Sequence, residues 1–254
     1  MRLTELCERL DDELRTEAFA DLDASANGLQ VGPREAEIDR VALAVDAAVE
    51  TIEAAREADA DLLLTHHGLS WGGIERITRN EYDRTAALID GEMALYVSHL
   101  PLDSHPEIGN AAGVATVLDL DDREPFGSLD PETIGLRGRL PEAVGIGTLE
   151  AELESALDPK RGVYTLEFGP ETVESVAVVT GSGVDWLDEA ADAGVDAFVT
   201  GEGKGHVYHE AREAGIHVLL AGHYATETFG VRSVGELVEG WGLETTFVDR
   251  PTGL

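Results

Sequence analysis

The chain is short of three things. It has a single cysteine, Cys7. No internal disulfide can form, so cystine scaffolds and CxxC metal sites are excluded. It has little positive charge: 18 basic residues face 51 acidic ones, a net charge of −33, and the only lysines are Lys160 and Lys204. A general nucleic-acid-binding surface needs a basic face, so such binding is not expected. No apolar stretch approaches the roughly 20 residues needed to span a bilayer as a helix. The opening MRLTELCERLDDEL carries acidic residues where a signal peptide needs an apolar centre. The expectation is a cytoplasmic protein with no membrane association.

What is present fits a folded protein. The 254 residues are 43% hydrophobic, enough for one large domain or two small ones with a real core. The acidic excess runs along the whole chain rather than forming a tail. Self-repulsion of this size opposes compaction. In molar salt, where the Debye length falls to about 3 Å, it is largely screened. The composition therefore reads as a halophilic acidic surface suited to a salty cytoplasm.

The chain repeats a plan. VALAVD (41–46) reads as a buried strand, AAVETIEAAREA after it has helical spacing, and DLLLT (61–65) reads as a second strand. VAVVTG (176–181), VDWLDEAADAG and VDAFVT (195–200) follow the same plan with no gap. Val41 falls on Val176, Asp61 on Asp196, Thr65 on Thr200, and His66-His67-Gly68 on Gly201-Glu202-Gly203. Strand–helix–strand at this length implies a right-handed parallel unit. A second echo pairs ALYVSHLPLD, ending in His99 and Asp103, with VLLAGHYATE, ending in His223 and Glu227. Both read as strand, His, three residues, carboxylate. The polar segment DLDDREPFGSLDPETIG (119–135) looks like the divide. The expected fold class is α/β, with two pseudo-symmetric halves produced by internal duplication, residues 1–125 and 126–254, and no inserted central domain.

LLLTHHGL (62–69) ends an apolar run in two adjacent imidazoles. In open α/β sheets, ligands bind beyond the carboxyl ends of strands. His66, His67, Asp103, His223 and Glu227 all fall at or just past such ends. Where the chain turns, neighbouring rings can be brought toward one cavity and serve two metal ions, one each. Imidazoles and carboxylates suit Zn, Mn, Fe, Ni or Co. Five ligands cannot close two four-coordinate sites without sharing, so a bridging carboxylate and water are needed, and open positions are what a catalytic metal requires. On residue types alone, a structural histidine pair stands as the alternative.

THHGL, NGLQVG (27–32), SHLPLDSH and TGEGKGHVYHEAREAGIHVLLAGHYATE resemble the Nif-three-like dinuclear metal-binding family, whose members carry the label GTP cyclohydrolase I type 2 homologues. The resemblance runs over nearly the whole chain. It implies that His66, His67, Asp103, His223 and Glu227 are ligands to two divalent ions per subunit (Zn, Mn, Fe, Ni, Co or Mg), with Glu227 the bridge. It implies two α/β halves facing each other across the metals and a homohexameric ring. It also implies a metal-dependent hydrolase acting on a nucleotide or related small molecule. A non-enzymatic metal-binding scaffold or metal-handling ring is the rival reading.

His99 and His209 also match positions of the family and are candidates for outer-sphere or proton-transfer roles. Asp46, Thr65 and Thr226 are candidate partners for the ligating rings. Glu202 stands where the first repeat has His67. His105 and His206 read as solvent-facing and His217 as structural. TGSG (180–183) and TGEGKG (200–205) could hold an anion on backbone N–H groups or be tight turns alone, and neither matches a Walker loop. Asn27 could orient a ligand or cap a turn, and Trp71 could line a cavity mouth or pack between subunits.

Overall fold

RVALAVD, apolar and rich in β-branched residues, becomes a strand buried along its five central residues. Around such runs the computed structural model, which describes residues 1–33, 35–74 and 76–254, builds an α/β protein with two sheets. The chain forms two compact units: Met1–Leu102 with Gly230–Arg250, and Asp103–Phe229 with Pro251–Leu254.

In the first unit, helix α1 (Leu3–Leu14) buries Leu3, Leu6, Leu10 and Leu14, one stripe at helical spacing. It ends where Arg15 takes a left-handed conformation. Strand β1 (Gly28–Val31), β2 (Arg40–Asp46), helix α2 (Val49–Glu57), β3 (Leu62–His67), helix α3 (Asn80–Asp90) and β4 (Ala94–Val97) follow. A one-turn helix, α4 (Leu100–Asp103), closes the segment.

The second unit contains α5 (Asn110–Val117), β5 (Asp121–Leu129), β6 (Glu132–Val144), α6 (Ile146–Leu157), β7 (Tyr164–Leu166) and β8 (Val173–Val178). Then come α7 (Leu187–Asp192), β9 (Ala197–Thr200), α8 (Val207–Ala214), β10 (His217–Leu220) and the one-turn helix α9 (His223–Thr226). The chain ends with α10 (Thr228–Gly240) and β11 (Glu244–Phe247). Most of α10 and all of β11 belong to the first unit. There Gly235 lets α10 lie against Leu43 of β2, whose side chain occupies the space a Cβ would need.

The two sheets share a plan. The first is ordered β1-β4-β3-β2-β11 and the second β5-β6-β8-β9-β10-β7. In each, three central strands are parallel, and the strand that precedes them in the chain pairs antiparallel to the third. Val41 pairs with Leu62 as Val176 pairs with Ala197. Asp61 Oδ2 accepts backbone N–H bonds from Asp39 and Arg40 at 2.9 Å each. Asp196 Oδ2 accepts from Glu174 and Ser175 at the same lengths. The duplication is thus written into hydrogen bonding as well as sequence.

Two expectations change. The polar segment taken for a divide is a β-hairpin, β5–β6, with a cis Asp130–Pro131 peptide at its turn. It is polar because the first five residues of β5 lie exposed on the sheet edge. The second echo is one residue out of register. The ladders place Ala94 level with His217, so His99 stands level with Gly222, not His223. α4 and α9 likewise begin at Leu100 and His223. Gly222, at φ 92°, thus holds the position of His99 just before the helix, and His223 opens the helix where the first repeat has Leu100.

Among the described residues no helix is long and apolar enough to cross a membrane. Each unit buries its own cluster, Ala42, Ala44, Ile52, Leu63, Leu95 and Val97 in the first and Val114, Leu149, Val176, Val178, Val199 and Leu219 in the second.

Candidate metal-binding residues

β3 delivers the histidine pair. His66 is fully buried, and its Nδ1 lies 2.9 Å from the carbonyl oxygen of Ser98, just past β4. A carbonyl only accepts, so Nδ1 carries the proton and Nε2 the lone pair. His67 Nδ1 lies 2.9 Å from Asp46 Oδ1, at the end of β2, which fixes the same tautomer. Metal-bound imidazoles characteristically direct their second nitrogen to a carbonyl or carboxylate. Asp46 fills the outer role expected of it. Thr65 does not, since its hydroxyl is buried without a hydrogen bond.

The next turn is braced by the NGLQVG motif. Gln30 accepts from Leu69 N at 2.8 Å and donates to the carbonyl of Ala26 at 2.7 Å. A Cβ at position 68 would sit 2.6 Å from the Gln30 amide oxygen, so a larger residue after the pair would displace the Gln30 brace. Asn27 Oδ1 accepts the backbone N–H of His99 at 2.7 Å, and its amide donates to Asp23 Oδ2 at 2.8 Å.

His99 joins the pair. Its ring centroid lies 5.0 Å from that of His66 and 5.7 Å from that of His67. Each of the three histidines offers one ring nitrogen within 4.8 Å of the other two. His99 Nδ1 lies 3.0 Å from Asp23 Oδ1. Burial alone would raise the Asp23 carboxyl, but the His99 ring, Asn27 and the Ser25 N–H outweigh it and hold it down at about 2. Asp23 escaped the sequence reading. Trp71, 48% exposed, stands edge-on to His99 at 5.0 Å.

In the second unit the turn after β8 gathers the carboxylates. Thr180 donates to Asp103 Oδ1 at 3.2 Å, and Asn110 donates to the same oxygen at 2.8 Å. Gly181, at φ 59°, faces Glu227: a Cβ there would collide with Oε1. Ser182 Oγ donates to Glu202 Oε1. His223, first residue of α9, lies between two carboxylates, with Nε2 3.1 Å from Glu227 Oε1 and Nδ1 3.2 Å from Glu202 Oε1. Burial pulls the imidazole down, but Glu227 and Glu202 together lift it to about 9. The proton between Nε2 and Glu227 occupies the kind of position a divalent cation would take. Asp103 and Glu227 are buried. Buried carboxylates need compensating cations, so the donor set fits a metal.

The glycine turns spend several of their donors inside the fold. Gly181 N donates to Thr226 Oγ1 at 3.2 Å, while Gly201 N and Glu202 N both donate to Gly181 O. These N–H groups are spent inside the fold, and Glu202 and Glu227 make the surroundings negative. Thr226 therefore supports the turn rather than a ring. Lys204 pairs with Asp185 at 2.6 Å.

The remaining histidines lie elsewhere. His209 is exposed on α8, edge-on to Tyr208. His105 Nδ1 caps the N–H groups of Glu107 and Ile108. His206 is half-exposed beside Glu210. His217 is buried, donating from Nε2 to the Pro170 carbonyl at 2.8 Å and accepting from Gly169 N.

These features define an α/β protein of duplicated plan whose strand ends carry imidazoles and carboxylates. The model of the Duf34/NIF3 (NGG1p interacting factor 3) family matches residues 1–252, and the chain belongs to that family. It is 55% identical to a Halobacterium salinarum protein named GTP cyclohydrolase 1 type 2 homolog, over 100% of both chains. An Archaeoglobus fulgidus protein of the same name is 42% identical, again over 100% of both. A protein of Thermus thermophilus with a solved crystal structure superimposes with a TM-score of 0.91 at 38% identity, covering 100% of each chain.

Proposed function

We propose that the protein binds two divalent metal ions per subunit and is a metal-dependent hydrolase of a nucleotide or related small molecule. The ligands in this reading are His66, His67, Asp103, His223 and Glu227, with Glu227 shared. The observation that carries it is the commitment of His66 Nδ1 to the Ser98 carbonyl and His67 Nδ1 to Asp46, which leaves each Nε2 as the basic nitrogen. Asn110 and Thr180 hold Asp103 in place. Glu202 holds His223 from the side opposite Glu227.

Bound divalent ions supply Lewis acidity, polarising a substrate oxygen and acidifying water. The chain's part is to fix the rings and carboxylates rigidly beforehand. The names of the relatives point to GTP as the first substrate to try, where hydrolytic ring opening would release formate. Buried carboxylates around the second half of the ligand set disfavour an anionic substrate until cations are present, so turnover requires metal. The family resemblance further supports a homohexameric ring, which light scattering in high salt would measure.

The test is elemental analysis of untagged protein purified in high salt, wild type beside Glu227→Ala, followed by assays of GTP and phosphoesters with and without added Zn, Mn, Fe and Mg. About two ions per wild-type chain, fewer in the variant, and metal-dependent hydrolysis are expected. Bound metal without turnover of any substrate would favour a metal-handling scaffold. No bound metal and no uptake would end the reading.

A further inference from the structure

Resting on the reading that His67 marks the site of a hydrolase, we propose that Trp71 is the platform on which the nucleobase of the substrate stacks. The base, and not the phosphate chain of a nucleotide, then lies beside His67.

Trp71 is 48% exposed, yet its backbone is pinned on both sides. It forms an isolated antiparallel bridge with Ser25. Ala26 N donates to the Ser70 carbonyl at 3.2 Å, and Gly72 N donates to the Ala24 carbonyl at 2.6 Å. Ordering a loop costs conformational entropy. An indole left half in water offsets little of that cost through burial. The gain comes instead when a ligand meets a ring already in place.

The segment that pins Trp71 also orients His99. Asp23 accepts from the Ser25 N–H and from the His99 ring, and Asn27 accepts the His99 backbone N–H. Residues 23–27 therefore fix the indole and the imidazole against each other. The Trp71 ring centroid lies 5.0 Å from that of His99, at 80°, and 5.9 Å from that of His67, at 50°. Neither contact is a parallel stack, and with half the residue in solvent a face of the indole remains for a planar ring. A Cβ added at Gly72 or Gly73 would meet nothing within 4 Å, so the chain leaves open space after the indole. Stacking tolerates any base, because every base has a π-face, and a ribose phosphate has none. A ring seated on Trp71 stands within about one ring's width of His67.

The experiment measures binding to the full-length protein in high salt by calorimetry, with and without added Zn. Guanosine, adenosine and cytidine are the probes and ribose 5-phosphate is the control. Wild type is compared with Trp71→Ala and Trp71→Phe, each checked for metal content by elemental analysis and for oligomeric mass by light scattering. Trp71→Ala should bind the preferred nucleoside about 5–150-fold more weakly than wild type. Trp71→Phe should retain most of the affinity, since a phenyl ring keeps a π-face. Metal content, oligomeric mass and the response to ribose 5-phosphate should not change. A second readout keeps Trp71 itself. The chain has three tryptophans, so Trp186→Phe/Trp241→Phe leaves Trp71 as the only indole. Its fluorescence should be quenched saturably by the same nucleoside.

The proposal is overturned if Trp71→Ala binds nucleosides as wild type does, or if none of the three binds to wild type. It is equally overturned if Trp71→Ala lowers the oligomeric mass, which assigns the ring to a subunit contact, or loses metal, which assigns it to the support of His67. If wild type holds metal and turns over a substrate while nucleoside binding ignores Trp71, the hydrolase reading stands and this one fails. If wild type holds no metal but binds nucleosides through Trp71, this one stands and the hydrolase reading fails.

Discussion

Replacing Gly181 by alanine should be far more damaging than replacing another left-handed glycine, and the difference measures how tightly Glu227 is seated. Gly181 has φ 59°, and its new Cβ would collide with Glu227 Oε1 and lie 3.3 Å from His223 Nε2. Gly194 has φ 69°, but a Cβ there meets nothing within 4 Å. Both variants suffer the left-handed penalty for an L-residue, roughly 1–2 kcal/mol. Only Gly181→Ala adds overpacking against a buried carboxylate, roughly 1–3 kcal/mol. The expected losses are therefore about 1–2 kcal/mol for Gly194→Ala and about 2–5 kcal/mol for Gly181→Ala.

Glu227 has little room to yield. It is buried, and Gly181 is tied through its N–H to Thr226 and through its carbonyl to Gly201, Glu202 and Thr200. In a chain of this length, each kcal/mol moves Tm by about 2–4 °C. Thermal unfolding by circular dichroism in high salt with chelator gives the comparison. Metal titration gives a second readout, weakened in Gly181→Ala and unchanged in Gly194→Ala. If the two variants unfold at the same temperature, Glu227 does not lie under this turn and the account of the second unit's site is wrong.

Further expectations concern the frame and the charge. Asp61→Ala and Asp196→Ala should each cost about 1–3 kcal/mol, because each strands two backbone N–H groups. Urea unfolding checks this, and a negligible loss at one site only would deny the equivalence of the two repeats. His223 is lifted from 6.5 to about 9 in the folded protein. Its pairing with Glu227 and Glu202 therefore stabilises metal-free protein fully below pH 6.5 and is lost as pH rises through about 9. The pH dependence of Tm in chelator should flatten over that window in Glu227→Gln. With a net charge of −33, Tm should climb steeply between 0.1 M and about 2 M salt as the Debye length shrinks from about 10 Å to under 3 Å. A Tm indifferent to salt would remove the argument from self-repulsion.

Much of this was legible because buried parallel strands announce themselves. RVALAVD and DLLLT read as strands through their β-branched and leucine runs, and a polar pair ending such a run reads as a site. The repeat was legible for the same reason, since it preserves the strand cores and the aspartate that ties each crossover. What failed to show depends on contacts remote in sequence or on backbone detail. Asp23 stands 76 positions from His99, in a polar loop that composition cannot distinguish from any other. The hairpin β5–β6 read as a divide because an exposed edge strand has the polarity of a linker. The match of His99 to His223 slipped by one because the same His-to-carboxylate spacing occurs in both, although His99 precedes its helix and His223 opens one. The glycine turns looked like anion cradles because a sequence shows donors but not the acceptors that already use them.

The two repeats keep one frame and put it to different chemical use. The ladder position that holds Asp46 in the first unit holds Gly181 in the second, and the position of His67 is taken by Glu202. In the first unit a carboxylate at the end of one strand orients an imidazole at the end of the next. In the second that carboxylate is absent, and the space over Gly181 receives Glu227 from the helix beyond. Glu202 then turns to His223 instead. The first unit so gathers imidazole rings, and the second gathers carboxylates around His223. One constant frame thus carries two unlike donor sets, imidazole nitrogens in the first unit and carboxylate oxygens around His223 in the second.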